Sequence, residues 1–263
     1  MSSAATDIIH QLFAIAGQAA LVTGAASGIG KGIATALAAA GVRVAIADID
    51  GEGARSLAEE LQAGGASAKG FALDVRSEDQ VVAVVHHAAT WLGGLDILVN
   101  NAGIYPKTPL LTSTAADWDN IHAINARGTF LGVREGARTM AASGGGCIIN
   151  ISSMGGVRSA YAGRSAYNAA KAAVNRLTGE AAIELAPQGI RVNAILPGPV
   201  SPLGDDQLDE RERIVRAKVK QQVPLGFMGT PQDIAAAVIY LASPAARFVT
   251  GHCLLVDGGA VLI

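Results

Sequence analysis

A tyrosine and a lysine four positions apart, Tyr167 and Lys171, form the pair with the clearest chemistry in this chain. On a helix, residues i and i+4 share a face, so the Lys171 ammonium is expected near the Tyr167 phenol, where it favours the phenolate. A free tyrosine has a pKa of about 10, and an ammonium at ~4 Å supplies about 4 kcal/mol at an effective dielectric of about 20, enough to bring that pKa to about 7. The alternative is an isolated pair on a solvated helix face.

Two serines follow a predicted buried strand, in the segment Asn150-Ile151-Ser152-Ser153, and Ser153 is the candidate for chemistry. Its hydroxyl is expected to face the same crevice as the tyrosine and to hydrogen-bond the oxygen of a substrate. The alternative is that the serine caps the next helix, which is the better interpretation for any single serine.

A glycine-rich segment, Thr23–Gly30, follows a predicted strand and opens a predicted helix. Glycines there permit a tight turn and let backbone N–H groups approach a pyrophosphate at the positive end of the helix. Asp48 ends the next strand, about 20 residues further on, where an acid accepts hydrogen bonds from the ribose hydroxyls of adenosine. The alternatives are an ordinary glycine turn and an ordinary turn aspartate.

The elements that must position these residues alternate between short β-branched runs and longer alanine-rich runs. The predicted strands are Ala19–Thr23, Val42–Ala47, Ser67–Ala72, Leu95–Asn100, Cys147–Ile151, Arg191–Leu196 and Cys253–Val256. The predicted helices are Ile29–Ala40, Gly53–Ala63, Glu78–Trp91, Ala115–Ala141, Ala166–Leu185 and Pro231–Ala242. This alternation predicts an α/β fold: one Rossmann-like, doubly wound domain whose seven-stranded parallel sheet has helices on both faces.

The domain is expected to span residues 18–263, after a leader at residues 1–17 that has no features of a signal peptide. Its late segment, residues 201–226, is predicted to be an excursion that covers the substrate. The charged part of that excursion, Asp205–Gln222, is predicted to be helical and to close over the crevice.

Composition excludes several classes of protein. Half of the 263 residues are hydrophobic and 16% are charged, which allows a large core and excludes global disorder. A formal net charge of −2 provides no basic surface for nucleic acid and no polybasic patch for a membrane. The two cysteines, Cys147 and Cys253, have no spacing typical of a metal site or a disulfide framework, so no metal is expected and a cytoplasmic location is the default.

The order of these motifs resembles the classical short-chain dehydrogenase/reductase family over nearly the whole chain, from about Gly17 to the C-terminus. Further matches to the family's motifs are Asn100-Asn101-Ala102-Gly103, Asp74-Val75, Ile124-Asn125-Ala126, Pro197-Gly198 and Val256-Asp257-Gly258-Gly259. The resemblance implies a catalytic tetrad of Asn125, Ser153, Tyr167 and Lys171. It implies cofactor contacts at Gly24, Ser27, Gly28, Ile29, Gly30, Asp48, Asp74, Val75, Asn101, Ala102, Gly103, Tyr167, Lys171, Pro197, Gly198 and Val200.

What the resemblance implies is an NAD(H)-dependent oxidoreductase, an alcohol dehydrogenase or carbonyl reductase. It would interconvert a secondary alcohol and a ketone by hydride transfer, with Tyr167 as general acid and base. Lys171 would hold the nicotinamide ribose, and Asn125 would bind a water that completes a proton relay. The resemblance also implies a homotetramer. The alternatives are an epimerase or dehydratase of the same family and a non-catalytic NAD-binding regulatory or scaffold protein.

Two departures from the family pattern concern substrate and cofactor contacts. The spacing from Ser153 to Tyr167 is one residue longer than usual, and Pro202 stands where the family has a threonine. The alternatives for the hydrogen bond of that threonine to the carboxamide are the adjacent Ser201 and the backbone of Val200, of which Val200 is the preferred interpretation. Arg158 and Arg164 lie in the lengthened loop, where they either bind an anionic group of a substrate or are simply solvated.

Overall fold

The computed structural model describes residues 3–159, 162–201 and 210–263. Its strands are β1 (Ala19–Thr23), β2 (Arg43–Asp48), β3 (Ala68–Ala72), β4 (Ile97–Asn100), β5 (Gly146–Ile151), β6 (Ile190–Pro197) and β7 (Cys253–Val256). Its α-helices are α1 (Ser3–Leu12), α2 (Gly28–Ala39), α3 (Gly51–Ala63), α4 (Glu78–Leu92), α5 (Ala115–His122), α6 (Gly128–Ala142), α7 (Ser165–Leu185), α8 (Glu210–Lys220) and α9 (Pro231–Ala242). A π-helical turn, Ala123–Arg127, joins α5 to α6, and a short 3₁₀ turn, Met154–Gly156, follows β5.

The strands form one sheet in the order β3–β2–β1–β4–β5–β6–β7, and every neighbouring pair is parallel. The chain therefore winds outward from β1 to β3, returns across β1, and winds outward again from β4 to β7. In such sheets the ligand crevice lies beyond the carboxyl ends of the strands, at the point where the winding reverses. Here that point lies between β1 and β4.

Both faces of the sheet are buried, as the apolar strands predict. In β1, Ala20 and Val22 belong to one core cluster and Ala19 and Leu21 belong to the other, because successive side chains point to opposite faces. Helices α2 and α9 pack against each other over the first face, and α4 and α6 pack over the second. The predicted α/β architecture is thus confirmed.

Most predicted strands and helices agree with the structure to within one or two residues at each end, and the larger differences lie in the leader and next to the crevice. The leader contains helix α1, which the sequence analysis did not predict. The predicted helix Ala115–Ala141 is interrupted by the π-helical turn, which inserts extra backbone next to the crevice. Of the predicted excursion, residues 202–209 lie outside the described residues, and α8 accounts for much of the rest. Among the described helices, none is both long and apolar enough to cross a bilayer.

Candidate active site

A cavity of about 1350 Å³ opens beyond the carboxyl ends of the strands, at the reversal between β1 and β4. All four residues of the predicted tetrad and all sixteen predicted cofactor contacts line this cavity, whereas Ser201, the candidate replacement for the family's threonine, is not among the described lining residues. Further lining residues that it did not predict are Lys31, Leu73, Arg76, Ile104, Tyr105, Lys107, Ile151, Met154, Gly155, Ala162, Asn168, Val219 and Met228. The structure therefore gathers motifs that are up to 176 positions apart, from Gly24 to Val200, around one space.

The 3₁₀ turn after β5 brings Ser153 against the first turn of α7. A Cβ atom at Gly156 would lie 2.9 Å from the carbonyl carbon of Lys171, so glycine is required for this close approach. The Ser153 hydroxyl accepts a hydrogen bond from the Gly155 N–H at 3.0 Å, and it also hydrogen-bonds the Tyr167 side chain. Ser153 is therefore both a cap, as the alternative interpretation held, and a neighbour of Tyr167 in spite of the lengthened loop.

Burial dominates the ionisation of Tyr167 and Lys171. Burial raises the pKa of Tyr167, against the lowering effects of the hydrogen bond from Ser153 and the charge of Arg164. Burial also lowers the pKa of Lys171 to about 8. The Lys171 Nζ donates to the Ile151 carbonyl at 2.8 Å and lies 5.9 Å from the centre of the Tyr167 ring. The expectation that this ammonium lowers the tyrosine pKa is not met in this structure, because it counted charge and omitted desolvation.

Asn125 lies on the π-helical turn and is completely buried. Its side-chain amide donates to the Ile104 carbonyl at 2.9 Å, and its amide oxygen accepts from the Ile104 N–H at 3.2 Å. These two bonds fix the loop after β4 at the edge of the cavity. The structure therefore shows a positioning role for this side chain, which the sequence did not indicate.

The glycine loop between β1 and α2 is tied to the end of β4. Asn101 donates through its side-chain amide to the carbonyl oxygens of Thr23, at 3.0 Å, and Gly24, at 2.7 Å. The Thr23 hydroxyl accepts from the backbone N–H groups of Asn101 and Ala102. The Asn101 side chain thus holds the glycine loop in place. Thr23, the first residue of the glycine motif, in turn holds the backbone after β4, a role that the sequence did not indicate.

The same loop fits the pyrophosphate of a dinucleotide. A Cβ atom at Gly24 would lie 2.6 Å from the Ala102 Cα, which forces glycine there. Gly28 has φ of +56° and open space where a Cβ would be, so its backbone faces the cavity without a side chain. Ser27 precedes α2 and makes no capping hydrogen bond, which leaves its hydroxyl for a ligand at the helix N-terminus.

Asp48 lies at the adenosine end of the cavity with its carboxylate held in place. Its two oxygens accept from the backbone N–H groups of Ala26, at 2.9 Å, and Asp50, at 3.0 Å. Each oxygen retains a further lone pair for a ligand hydroxyl. Lys31, the nearby cation on α2, forms an ion pair with Glu60 at 2.9 Å.

At the predicted adenine pocket, the Asp74 carboxylate forms an ion pair with Arg76 at 2.6 Å. The hydrogen bond from Arg76 holds the pKa of Asp74 below its usual value. Arg76 lines the cavity beside Asp74 and Val75, so the charges of the carboxylate and the guanidinium nearly cancel on this wall of the pocket.

A buried polar chain runs beneath the catalytic end of the cavity. Asn100 donates to the side-chain oxygen of Asn150 at 2.9 Å, and Asn150 donates to the Thr178 hydroxyl at 3.0 Å. These side chains link β4, β5 and α7, which carry three walls of the site. Buried polar networks of this kind fix relative positions only when every member is paired.

The segment after β6 closes the opposite wall with Pro197, Gly198 and Val200. A Cβ atom at Gly198 would lie 2.6 Å from the Asp257 Cα, so only glycine allows the end of β6 to pack this closely against the C-terminal motif. Pro202 lies outside the described residues. The backbone N–H of Ser201 donates to the Gly229 carbonyl at 2.9 Å, which fixes the start of the excursion.

Comparison with known proteins places this site in a family. A profile of the family described as enoyl-(acyl carrier protein) reductase matches residues 24–261. The chain is 43% identical over 248 residues to cis-4-hydroxycyclohexanecarboxylate dehydrogenase of Sinomonas cyclohexanicum, covering 94% of this chain and 97% of that protein. It is 39% identical over 248 residues to D-threitol dehydrogenase of Mycolicibacterium smegmatis, covering 94% of both.

Solved structures agree with these relatives. The chain is similar to 7α-hydroxysteroid dehydrogenase complexed with NADH and 7-oxo glycochenodeoxycholic acid, with a TM-score of 0.86 and 34% identity. That similarity covers 95% of this chain and 96% of the other. The protein therefore belongs to the short-chain dehydrogenase/reductase family, whose members use a nicotinamide cofactor, and it is an oxidoreductase of secondary alcohols.

Proposed function

We propose that the protein is an NAD(H)-dependent dehydrogenase that interconverts a secondary alcohol and a ketone, with Tyr167 as the general acid and base. One observation carries this proposal: Ser153, Tyr167 and Lys171 line the same cavity as the glycine loop and Asp48. A cavity of about 1350 Å³ has room for a dinucleotide together with a small substrate. Residues 18–263 would act as one domain for binding and catalysis.

A bound nicotinamide dinucleotide supplies the acceptor of the hydride in oxidation and its donor in reduction. Ser27 and the backbone of Gly28 would hold its pyrophosphate, and Asp48 would accept hydrogen bonds from the adenosine ribose. Lys171 would hold the other ribose through an ammonium that is already fixed by the Ile151 carbonyl.

The protein's own residues handle the proton. In oxidation the Tyr167 oxygen takes the proton of the substrate hydroxyl, and in reduction it returns a proton to the carbonyl oxygen. Ser153 hydrogen-bonds the same substrate oxygen and thereby orients it toward Tyr167. Because burial raises the pKa of Tyr167, the phenol holds its proton at neutral pH in this structure, which suits reduction; oxidation requires its removal.

The preference for NAD(H) is supported by charge at the adenosine end. The Asp48 carboxylate would repel the 2′-phosphate of NADP(H), and Lys31 is already paired with Glu60. Two further parts of the proposal remain predictions: a cytoplasmic location, expected because Cys147 and Cys253 are free thiols, and a homotetramer.

Exchange of Tyr167 for phenylalanine tests the assignment. Tyr167→Phe keeps the ring and its packing and removes the transferable proton, so it should bind NADH normally and lose more than nine tenths of turnover. Tyr105→Phe is the matched control, because Tyr105 also lines the cavity and loses the same hydroxyl. The substrate panel begins with cis-4-hydroxycyclohexanecarboxylate and D-threitol, which the names of two relatives suggest.

Two results would contradict the proposal. Turnover above a tenth of wild type in Tyr167→Phe would remove this residue from the proton transfer. A wild-type protein that binds NADH but oxidises and reduces nothing in a broad panel would favour the alternative of a non-catalytic NAD-binding protein.

A further inference from the structure

The end of the cavity beyond Tyr167 carries positive charge. Its wall there includes Tyr105, Lys107 and Arg164. The carboxylates among the described lining residues are Asp48 and Asp74, and both belong to the adenosine end. The two ends of the cavity therefore differ in electrostatic character.

The other cations at or near the cavity are committed elsewhere. Lys31 is paired with Glu60, Arg76 is paired with Asp74, and the Lys171 ammonium donates to the Ile151 carbonyl. Arg158, the second arginine of the lengthened loop, does not line the cavity; its guanidinium donates to the Ala260 carbonyl at 2.8 Å. Within the part of the chain that the structure describes, Lys107 and Arg164 make no ion pair.

Arg164 is positioned by its surroundings. It directly precedes α7, three residues before Tyr167, and its guanidinium carbon lies 5.4 Å from the centre of the Tyr105 ring. One guanidinium nitrogen, Nη1, is buried and has no hydrogen-bond partner among the described residues. The hydrogen bonds found among the described residues include none from the Arg164 guanidinium, so those of its five N–H donors that face the cavity remain for a ligand that brings acceptors.

Lys107 is held close to Arg164 by a contact between two loops. The Thr108 N–H donates to the Gly163 carbonyl at 2.9 Å. A Cβ atom at Gly163 would lie 3.0 Å from the Lys107 Cγ, so the lysine side chain passes directly over this glycine. The loop after β4 and the loop before α7 thus bring their two cations to one corner of the cavity.

We propose that Arg164, assisted by Lys107, binds a carboxylate of the substrate while the alcohol of the substrate lies at Tyr167. A guanidinium matches a carboxylate with two parallel N–H···O bonds, which adds geometric selection to charge. Stacking on the Tyr105 ring holds the guanidinium plane in place for that contact. The inference rests on the proposed function and names its substrate class: hydroxy acids and their oxo acids, in preference to neutral polyols.

Binding without turnover provides the first test. Acetate, benzoate and cyclohexanecarboxylate, each paired with its primary amide, are titrated against the NADH-saturated protein by calorimetry. At least one carboxylate should bind more tightly than its amide, and Arg164→Gln should weaken that carboxylate by about 10- to 150-fold, the factor for a lost charge-assisted hydrogen bond. Lys107→Gln should cost less, about 2- to 5-fold, because its charge is more exposed. Arg158→Gln, the matched control, should leave the affinity unchanged.

Turnover provides the second test, with 4-hydroxycyclohexanecarboxylate and 3-hydroxybutyrate compared with their amides. The wild type should prefer each acid, and Arg164→Gln should lower kcat/KM for the acid while leaving that for the amide nearly unchanged. Equal use of acid and amide by the wild type, or an equal loss for both in Arg164→Gln, would overturn the inference and leave the dehydrogenase function intact. Carboxylate binding that depends on Arg164 in a protein without any turnover would instead contradict the proposed function and support the anion subsite.

Discussion

Removing the charge of Asp48 should weaken the preference for NAD(H) over NADP(H). The 2′-phosphate of NADP(H) carries a charge near −2 and offers no hydrogen-bond donor to a carboxylate. Unit like charges at ~4 Å repel by about 4 kcal/mol at an effective dielectric of about 20, and screening reduces this to about 2–3 kcal/mol. The wild type should therefore favour NAD(H) by about 30- to 150-fold in kcat/KM.

The structure indicates that the side chain cannot easily avoid this repulsion. Its two oxygens are held by the N–H groups of Ala26 and Asp50, and each of those bonds contributes about 0.5–1.5 kcal/mol. Turning the carboxylate away from a phosphate would break both bonds, at a cost comparable to the repulsion itself. Most of the repulsion should therefore appear in the measured preference.

Steady-state kinetics with both cofactors, followed by the absorbance of the reduced nicotinamide, tests this reasoning. Asp48→Asn keeps one acceptor oxygen and removes the charge, and Asp48→Ser replaces both carboxylate oxygens with one hydroxyl on a shorter side chain. Each variant should lower the ratio of kcat/KM for NAD(H) to that for NADP(H), Asp48→Ser mainly by weakening the binding of NAD(H). Asp50→Asn is the matched control: it removes the same charge two residues away, at a side chain that caps α3 and does not line the cavity. It should change the ratio by less than about 2-fold. Equal or better efficiency of the wild type with NADP(H) would refute the role given to Asp48.

Three further predictions concern ionisation, motion and assembly. Because burial raises the pKa of Tyr167, its phenolate should form only at a pH above the pKa range of ordinary tyrosines. An absorbance titration of the protein without cofactor, with Tyr167→Phe as the reference, measures this, and ionisation of Tyr167 near neutral pH would contradict it. Amide hydrogen exchange in residues 210–222 should slow when cofactor and substrate are both bound, because Val219 of α8 lines the cavity. Unchanged exchange rates would show that this segment does not act as a lid. Light scattering should give the mass of a homotetramer, which would cover the exposed Ile183 of α7 and Leu262 near the C-terminus; a monomer mass at micromolar concentration would refute it.

Much of the fold follows from local patterns in the sequence. The bounds of β1, β7 and α9 agree with their predicted residues, because apolar runs between turns and the capped start of α9 at Thr230 are local signals. The π-helical turn around Asn125 was not predicted, because two of the three hydrogen bonds of the Asn125 side chain go to Ile104, 21 positions away in the sequence, and only one goes to the nearby Ile121 carbonyl. Helix α1 was missed because the interpretation of the leader rested on the absence of targeting signals and not on a helical pattern.

The sequence was enough to predict that its catalytic and cofactor motifs meet at one cavity, since these motifs follow strand ends and parallel strands bring their carboxyl ends to one edge of the sheet. The ionisation of these residues, and the direction in which their side chains point, depend on packing between distant parts of the chain. The spacing of Tyr167 and Lys171 predicts proximity, but their pKa values follow desolvation, which depends on every neighbour that excludes water. Arg158 and Arg164 lie in the same loop, and the sequence does not distinguish them. In the structure Arg158 donates to the Ala260 carbonyl, whereas Arg164 lines the cavity. The sequence near the loop could not show this difference, because Ala260 is 102 positions away from Arg158.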